Sequence, residues 1–203
     1  MNKQSRSLSG AVPRFLIAIV ALLSSWTVAN AQHEVAVKTN LLYDATATIN
    51  LGAEIPLAQK WSFDLSANFN GWSINDHLWK HWLLQPEARY WLCDRFSGHF
   101  FAMHLLGGQY NFGNISIPNF LGNDFRTLED TRVQGWYAGA GIGYGYTWLL
   151  SRHWSIEAEV AFGWAYTRFD RYPCAKCGTK IQSDKAHNYV GPTKVAVNLI
   201  YVF

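Results

Sequence analysis

Several alternating segments carry charged residues on their polar faces, and these residue types suit ion pairing inside a closed interior. A charge in a low-dielectric interior is costly unless an opposite charge or water accompanies it. Three bases and five acids can form a salt-bridge network that plugs and rigidifies such an interior. A narrow ion path is the alternative that the same residues allow. The predicted network comprises Lys38, Glu54, Asp64, Glu87, Arg89, Glu157, Glu159 and Lys194.

Cys174 and Cys177 form the clearest local motif, since only two residues separate them. In an oxidising compartment such a pair could form a disulfide, and with His187 it could supply part of a zinc site. Redox catalysis needs a thioredoxin-like context, which the surrounding sequence lacks. We predict a disulfide or two free thiols in an outer loop, with no metal and no cofactor. Cys93 is expected at the opposite end, out of reach of both.

Histidines are the residues that would reveal an enzyme, because nucleophilic catalysis needs a base beside a nucleophile. His77 and His81 are expected in a loop, His104 in the middle of a strand and His187 in the last long loop. No serine stands with a histidine and a carboxylate in a catalytic arrangement. We predict a non-enzymatic protein, with a lipid-modifying enzyme as the alternative.

The segments that must position these side chains have a period of two residues, which is typical of β-strands. In residues 61–72, apolar residues such as Phe63 alternate with polar ones such as Asp64, and residues 154–168 alternate in the same way. These segments are longer than the roughly 5–6 residues usual in soluble sheets. Strands of roughly 9–11 residues or more suit a tilted bilayer crossing.

Residues 134–150 place aromatic and aliphatic residues on one face and five glycines, with Tyr137, on the other. Glycine normally weakens a strand, so five on one face indicate a narrow interior in which opposing bulky side chains need room. We expect Tyr137, Trp72 and Trp91 to help fill that interior. The glycines are Gly135, Gly139, Gly141, Gly143 and Gly145.

The remaining segments complete an antiparallel sheet with short turns on one side and long loops on the other, as in outer-membrane barrels. Both termini should lie on the same side, so the strand count must be even. A break near Asp44-Ala45 raises it from seven to eight. The other strands are expected near residues 35–43, 47–57, 82–92, 99–113 and 192–203. Short links are expected at 58–60, 93–98 and 151–153, and long ones at 73–81, 114–133 and 170–191.

The first residues have the features of a cleaved signal peptide. An apolar run extends from Phe15 to Trp26 and is preceded by the basic residues Lys3, Arg6 and Arg14. A cleavage site of the small-x-small type follows at Ala29-Asn30-Ala31. The run is shorter than the roughly 20 residues of a spanning helix. We predict residues 1–31 as leader and residues 32–203 as an outer-membrane β-barrel domain. Without the leader the 17 basic residues fall to 14, equal to the acidic ones, so nothing favours nucleic acid.

The C-terminal residues alternate from Val195 to Phe203 and resemble the β-signal read by the barrel assembly machinery, with Tyr201 and Phe203 as its aromatic residues. A soluble β-sandwich or lipocalin-like barrel would alternate too, but strand length and aromatic girdles favour the membrane. One girdle is predicted from Trp61, Tyr146, Trp148, Trp154, Tyr201 and Phe203, and the outer one from Tyr43, Trp82, Trp136, Trp164 and Tyr166.

The outer loops are the expected contact surface, since function concentrates in loops on rigid scaffolds. Residues 114–133 mix apolar and charged residues that can cover the mouth or present a binding surface. The last long loop is basic, with Arg168, Arg171, Lys176, Lys180 and Lys185 in or beside it. A basic rim suits outer-membrane lipid and lipopolysaccharide phosphates.

Four motifs, in order, resemble a family of small Bacteroidetes outer-membrane proteins, the domain-of-unknown-function 3575 family. The resemblance covers essentially the whole predicted mature chain and implies a barrel of unassigned activity, with fimbrial or other surface proteins as suggested partners. The function expected is a structural barrel or an anchor for a surface assembly. The motifs are residues 38–45, 50–55, 85–91 and 191–194.

Overall fold

The computed structural model describes residues 35–74, 77–114, 131–174 and 177–203, so the predicted signal peptide lies outside the described residues. Within them the chain is almost entirely β-strand. No helix in this part of the chain is long and apolar enough to cross a membrane. The strands are β1 (Ala36–Asn40), β2 (Ile49–Ala58), β3 (Trp61–Asn70), β4 (Ser73–Ile74), β5 (His77–Trp91), β6 (Gly98–Gly113), β7 (Arg132–Leu149), β8 (Trp154–Tyr172) and β9 (Gln182–Val202).

Eight of these strands form one antiparallel ring. Successive strands pair with one another, β1 pairs with β9, and β3 pairs with β5 past the two-residue β4. The closing register places Asp64 opposite Glu87, and the register between the first and last strands places Lys38 opposite Ile200. The prediction of an all-β fold with eight antiparallel strands is therefore confirmed. Closure gives nearly every strand two neighbours, which satisfies its backbone hydrogen bonds.

The two ends of the ring differ in the lengths of their connections. Residues 59–60, 92–97 and 150–153 join strands at one end, here called the short-link end. Residues 41–48, 71–76, 114–131 and 173–181 join strands at the other, the long-link end. The chain enters β1 and leaves β9 at the short-link end, where Ala36 pairs with Val202.

The break between the first two strands is one turn of helix, Leu41–Ala45. The Asn40 side chain caps that turn, and the Asn50 amide donates to the Asp44 carboxylate at 2.7 Å. Ala47 then takes a positive φ of 54°, which turns the chain into β2. A break near Asp44-Ala45 is thus present, but β1 ends at Asn40 rather than at Tyr43.

Tyr43 does not join the outer aromatic girdle as predicted. It is half-buried and packs against the buried Leu83 and Leu106 on the inside of the ring. Its ring centroid lies 6.4 Å from that of His81. The helical turn breaks the strand alternation that the prediction assumed, and it directs Tyr43 into the mouth of the ring.

Two strands extend beyond the predicted limits at the long-link end. β5 begins at His77 rather than 82, and β9 begins at Gln182 rather than 192. The added residues pair regularly with their neighbours, as Lys80 does with Asn111 and Lys185 with Phe169. The added residues mix apolar and polar side chains on one face, as Trp79 and His81 do in β5, so they lack the clean alternation that identifies the rest of each strand.

Side chains alternate between the inside and the outside of the ring along the strands. In β6, Phe100, Ala102, His104 and Leu106 are buried inside, whereas Phe101, Met103 and Leu105 are exposed outside. The sequence alone does not show which face of β6 points inward, because both of its faces are apolar. Trp72 was expected inside, but it follows the end of β3 and its ring contacts the outward-facing Phe69.

The interior is layered from one end of the ring to the other. Toward the short-link end, Trp91, Phe100 and Ile200 form an apolar layer with Ala36, Phe96 and Ala102. Phe96 reaches this layer from a link in which it takes a positive φ of 60°. Toward the long-link end, a second cluster contains Leu83, Leu106 and Ala165, with Tyr43, Tyr137 and Tyr189 packed against it. Charged side chains occupy the space between the two layers.

Candidate functional site

Arg89 is the centre of the charged layer and is fully buried. Its Nε donates to Glu87 at 2.6 Å, and its two terminal nitrogens donate to Glu54 at 3.0 Å, Glu157 at 2.7 and 3.1 Å, and Glu159 at 2.9 Å. These five hydrogen bonds use all five donors of a guanidinium. The guanidinium carbon lies 4.5 Å from the Phe100 ring centroid, which adds a cation–π contact.

Two lysines complete the network on either side of Arg89. Lys38 lies 2.9 Å from Asp64 and also binds Glu54. Lys194 lies 2.7 Å from Glu87 and 2.9 Å from Glu159. The structure thus brings together all eight residues selected from the sequence. They come from β1, β2, β3, β5, β8 and β9, so the network joins most of the circumference.

Neutral side chains hydrogen-bond to the carboxylates from the surrounding strands. Ser62 donates to Glu54 and accepts from the indole of Trp91 at 2.8 Å. Asn198 donates to Glu157 at 2.7 Å, and Thr147 donates to it at 3.2 Å. Hydrogen bonds of this kind offset part of the desolvation of buried charge.

The charges in this layer are unbalanced, with five carboxylates against three cations. All eight side chains are at most 9% exposed. One Glu159 oxygen has no hydrogen-bond partner within the described residues. Low dielectric on both sides strengthens each ion pair and raises the cost of leaving any member unpaired.

The glycines of β7 make room for this interior in two ways. A Cβ at Gly145 would overlap the Phe100 ring, and one at Gly141 would lie 2.6 Å from Thr193 Oγ1 and 2.7 Å from His104 Cε1. Gly135 and Gly139 instead face the backbone of β8. The expectation that opposing bulky side chains need the space therefore holds for Gly141 and Gly145, whereas Gly135 and Gly139 permit close approach of neighbouring strands. A Cβ at the fifth glycine, Gly143, would lie 2.9 Å from the small Ala161 Cβ and 3.2 Å from Glu159 Oε1.

His104 is a member of the interior that sequence reasoning did not place in the network. It is 3% exposed, and its Nδ1 lies 3.9 Å from Glu87 Oε2. Neither ring nitrogen has a hydrogen-bond partner within the described residues. The apolar neighbours of His104 in the sequence hid its inward position.

The other three histidines singled out in the sequence, His77, His81 and His187, lie apart from this network. His77 and His81 belong to β5 and His187 belongs to β9, so the prediction that they lie in loops was wrong, because both strands extend beyond their predicted limits. His81 is half-buried, with ring contacts to Trp79 and Phe112. His187 pairs with Thr167 and is exposed.

The cysteines divide between the two ends of the ring. Cys174 and Cys177 are joined by a disulfide at the long-link end, so they offer no thiolates for the zinc site that the spacing also allowed. The Arg132 guanidinium donates to the Cys177 carbonyl at 3.2 Å and stacks on Tyr172, which fixes the disulfide loop to β7 and β8. Cys93 is free and exposed at the short-link end.

The C-terminal aromatic residues lie at the short-link end. Tyr201 packs against Trp154 and Phe203, with ring centroids 5.0 Å and 4.9 Å away. The Phe203 amide donates to the Val35 carbonyl at 3.0 Å, while its ring is exposed.

The space left around the network is small. A cavity of about 20 Å³ lies among Lys38, Asp64, Asn68 and Lys194, and a single water needs roughly 10–15 Å³. In the part of the chain that the structure describes, no group of three or more His, Cys, Asp or Glu side chains is arranged to hold a metal ion. The arrangement fixes charge in place, and it offers little room for a substrate beside the network.

Comparison with models of known protein families identifies the family of this chain. A family model described as "Protein of unknown function (DUF3575)" matches residues 16–203. No curated protein matches the chain. The matched region includes all four motifs on which the resemblance rests and all eight residues of the network. Since the match spans nearly the whole chain, the protein belongs to the DUF3575 family.

Proposed function

We propose that the protein is a closed β-barrel of the bacterial outer membrane, exported by a cleaved leader at residues 1–31, without enzymatic activity. The proposal rests on one observation: charged side chains lie inside the ring, and apolar side chains cover its outer surface. Arg89 and Glu157 are fully buried, whereas Ile142 and Val190 are 70% and 76% exposed. In water this distribution would leave a large apolar surface exposed, while lipid stabilises it.

Aromatic residues at both ends of the apolar band support the same proposal. Trp148 and Trp154 are exposed near the short-link end, and Trp82, Trp136 and Trp164 near the long-link end. Indole side chains favour membrane interfaces, where one part of the ring contacts lipid and the N–H reaches polar groups. The short-link end would face the periplasm and the long-link end the outside.

The interior favours a structural role over a conducting one. Arg89 binds carboxylates from three strands, and apolar layers lie on both sides of the network. A barrel held in this way is a rigid platform, and its long-link end would anchor a surface assembly such as a fimbria. Most of the predicted contact loop at 114–133, namely residues 115–130, lies outside the described residues.

Thiol labelling of intact cells tests location and orientation together. Ser183→Cys places a thiol at the exposed outer end of β9, while the native Cys93 marks the opposite end. A membrane-impermeant maleimide should label the variant but not the wild type on intact cells. Permeabilising the outer membrane should expose Cys93 in both, and Cys93→Ser gives the control for specificity. Equal labelling of both proteins on intact cells, or of neither, would contradict the proposed orientation.

The anchoring role has its own test. Crosslinking of intact cells followed by purification of the barrel should recover a surface protein, and the yield should fall when residues 115–130 are shortened. A barrel of normal abundance that crosslinks to no surface protein would leave only the structural role.

A further inference from the structure

An outward-facing groove of about 490 Å³ runs across β3, β5, β6, β7 and β8 near the long-link end. It lies between two rows of outward side chains. On each strand, the residue between these two rows points inward, so its backbone forms the floor of the groove. The row nearer the middle of the ring is Phe69, Trp82, Gln109, Trp136 and Arg168, which are successive partners in the sheet. The outer row contains Gly71, Lys80, Asn111, Gln134 and Asp170.

The two walls of this outer groove differ in polarity. The inner wall has the exposed rings of Phe69, Trp82 and Trp136, and below it the surface continues with apolar side chains. The outer wall has a lysine, two amides and an aspartate. The groove therefore follows the boundary between the apolar band and the polar end of the ring, which is where a lipid headgroup would lie.

The charges around the groove leave a positive excess. Asp184 pairs with Arg168, and Asp170 pairs with Lys180 at 2.7 Å. Lys80 makes no ion pair within the described residues, so its charge is uncompensated. The Arg168–Asp184 pair is solvent-exposed and such pairs contribute little, so Arg168 can exchange its partner for another anion at little cost.

Amide groups add donors and acceptors between these cations. Trp82 Nε1 donates to Gln109 Oε1 at 3.3 Å, which leaves the NH₂ of that amide for another partner. The buried Asn111 Oδ1 has no hydrogen-bond partner within the described residues. Gln134 is exposed beside it. A ligand that matches the groove combines an anionic group, hydroxyl groups and an apolar part.

We propose that the outer groove binds the phosphorylated sugar headgroup of an outer-leaflet glycolipid. Lys80 and Arg168 bind the phosphate by charge-assisted hydrogen bonds, and Gln109, Asn111 and Gln134 bind sugar hydroxyls. The acyl chains follow the apolar surface below Trp82 and Trp136. The inference rests on the proposed membrane location and adds a specific lipid site to it.

Native mass spectrometry of the full mature chain in detergent tests the site. The probes are diphosphoryl lipid A, phosphatidylglycerol and inorganic phosphate, each added to wild type and to Lys80→Gln/Arg168→Gln. The control is Lys60→Gln/Arg152→Gln, which removes the same charge at the short-link end, where both residues are exposed. Wild type and control should retain lipid A, and the groove variant should bind it at least about tenfold more weakly.

Three results would overturn the inference. Equal lipid A binding by all three proteins would show that these cations do not form the site. Phosphatidylglycerol binding as tight as lipid A would remove the role of the sugar, and displacement of lipid A by equimolar inorganic phosphate would show a simple anion site. Heat-modifiable migration measured on the same samples distinguishes failure of this inference from failure of the proposed function. If the protein migrates as a folded barrel but binds lipids without selectivity, only the inference about the groove is wrong.

Discussion

Ion pairs occur in two regions of this molecule under opposite conditions. Inside the ring, Arg89 and its four glutamates are almost completely buried. At the long-link end, Arg168 and Asp184 form a pair whose side chains are 43% and 66% exposed. In both regions an arginine pairs with carboxylates, but the surroundings of the pairs differ.

The difference determines what each region contributes to stability. An exposed pair contributes roughly 0–1 kcal/mol, because water solvates both partners when they separate. Removing one partner of a buried pair costs roughly 3–5 kcal/mol, because the other charge stays in low dielectric. The interior therefore constrains the fold, whereas pairs at the long-link end can change partners without loss of the ring.

Arg89→Met should have the largest effect. It leaves four carboxylates without their shared cation, and we expect a loss of at least about 5 kcal/mol in the free energy of unfolding, which would prevent stable folding. Arg152→Met, which removes an exposed arginine at the short-link end, should be nearly neutral. Urea unfolding followed by tryptophan fluorescence measures both, and similar curves for the two variants would contradict the account.

Lys38→Met should destabilise the protein by about 3 kcal/mol, since Lys38 pairs with both Asp64 and Glu54 inside the ring. Adding Asp64→Asn should recover part of that loss because it removes a carboxylate left without its cation. The double variant therefore sharpens the comparison between charge balance and packing. If the loss of stability in the double variant equals the sum of the losses in the two single variants, packing rather than charge balance determines the effect.

Gly145→Val should cost about 1–3 kcal/mol, because its side chain would overlap Phe100. Phe100→Leu in the same chain should relieve part of this cost, as expected for residues in contact. Gly178→Ala is the matched control, since nothing lies within 4 Å of a Cβ there. Denaturation midpoints of the wild type, the two single variants and the double variant give the coupling energy between residues 145 and 100. A coupling energy of zero would contradict the proposed role of Gly145.

Replacing Cys174 and Cys177 by serine should cost about 2 kcal/mol or less, because the closed loop is very short. The effect should stay local to the ends of β7 and β8, where Arg132 contacts Cys177. Hydrogen exchange should increase there and not around Arg89. Faster exchange throughout the ring would show that the two regions are coupled.

Asp184→Asn should have the smallest effect, below about 1 kcal/mol, because both partners of this pair are solvent-exposed. Added salt should lower the stability of the wild type slightly, because it screens the exposed ion pair. The stability of the Asp184→Asn variant, which lacks the pair, should not change with salt. Thermal melts at low and high salt measure this difference. A loss comparable to that of Lys38→Met would contradict the contrast between the regions.

Residues of the interior network could be predicted because alternation marks which side of a strand each residue faces. Lys38, Glu54 and Arg89 stand among polar positions opposite an apolar face. The same rule could not place His104, since both faces of β6 are apolar, nor Phe96, which reaches the interior through the backbone conformation of a link.

The long-link end was less predictable for a physical reason. Residues 77–81 and 182–191 form strands through backbone pairing, and each mixes apolar and polar side chains on the same face, so no clean alternation marks them. Tyr43 was misplaced because one helical turn replaces the end of β1. The outer groove also could not be found from the sequence, since it depends on the register of five strands.

Electrophoretic migration of the protein extracted from the outer-membrane fraction tests the central claim, that the ring is a membrane barrel assembled through its C-terminus. Unboiled wild-type protein should migrate faster than boiled protein, and deleting Phe203, whose amide binds the Val35 carbonyl, should diminish the faster form. A soluble periplasmic protein whose migration does not change on boiling would contradict the account.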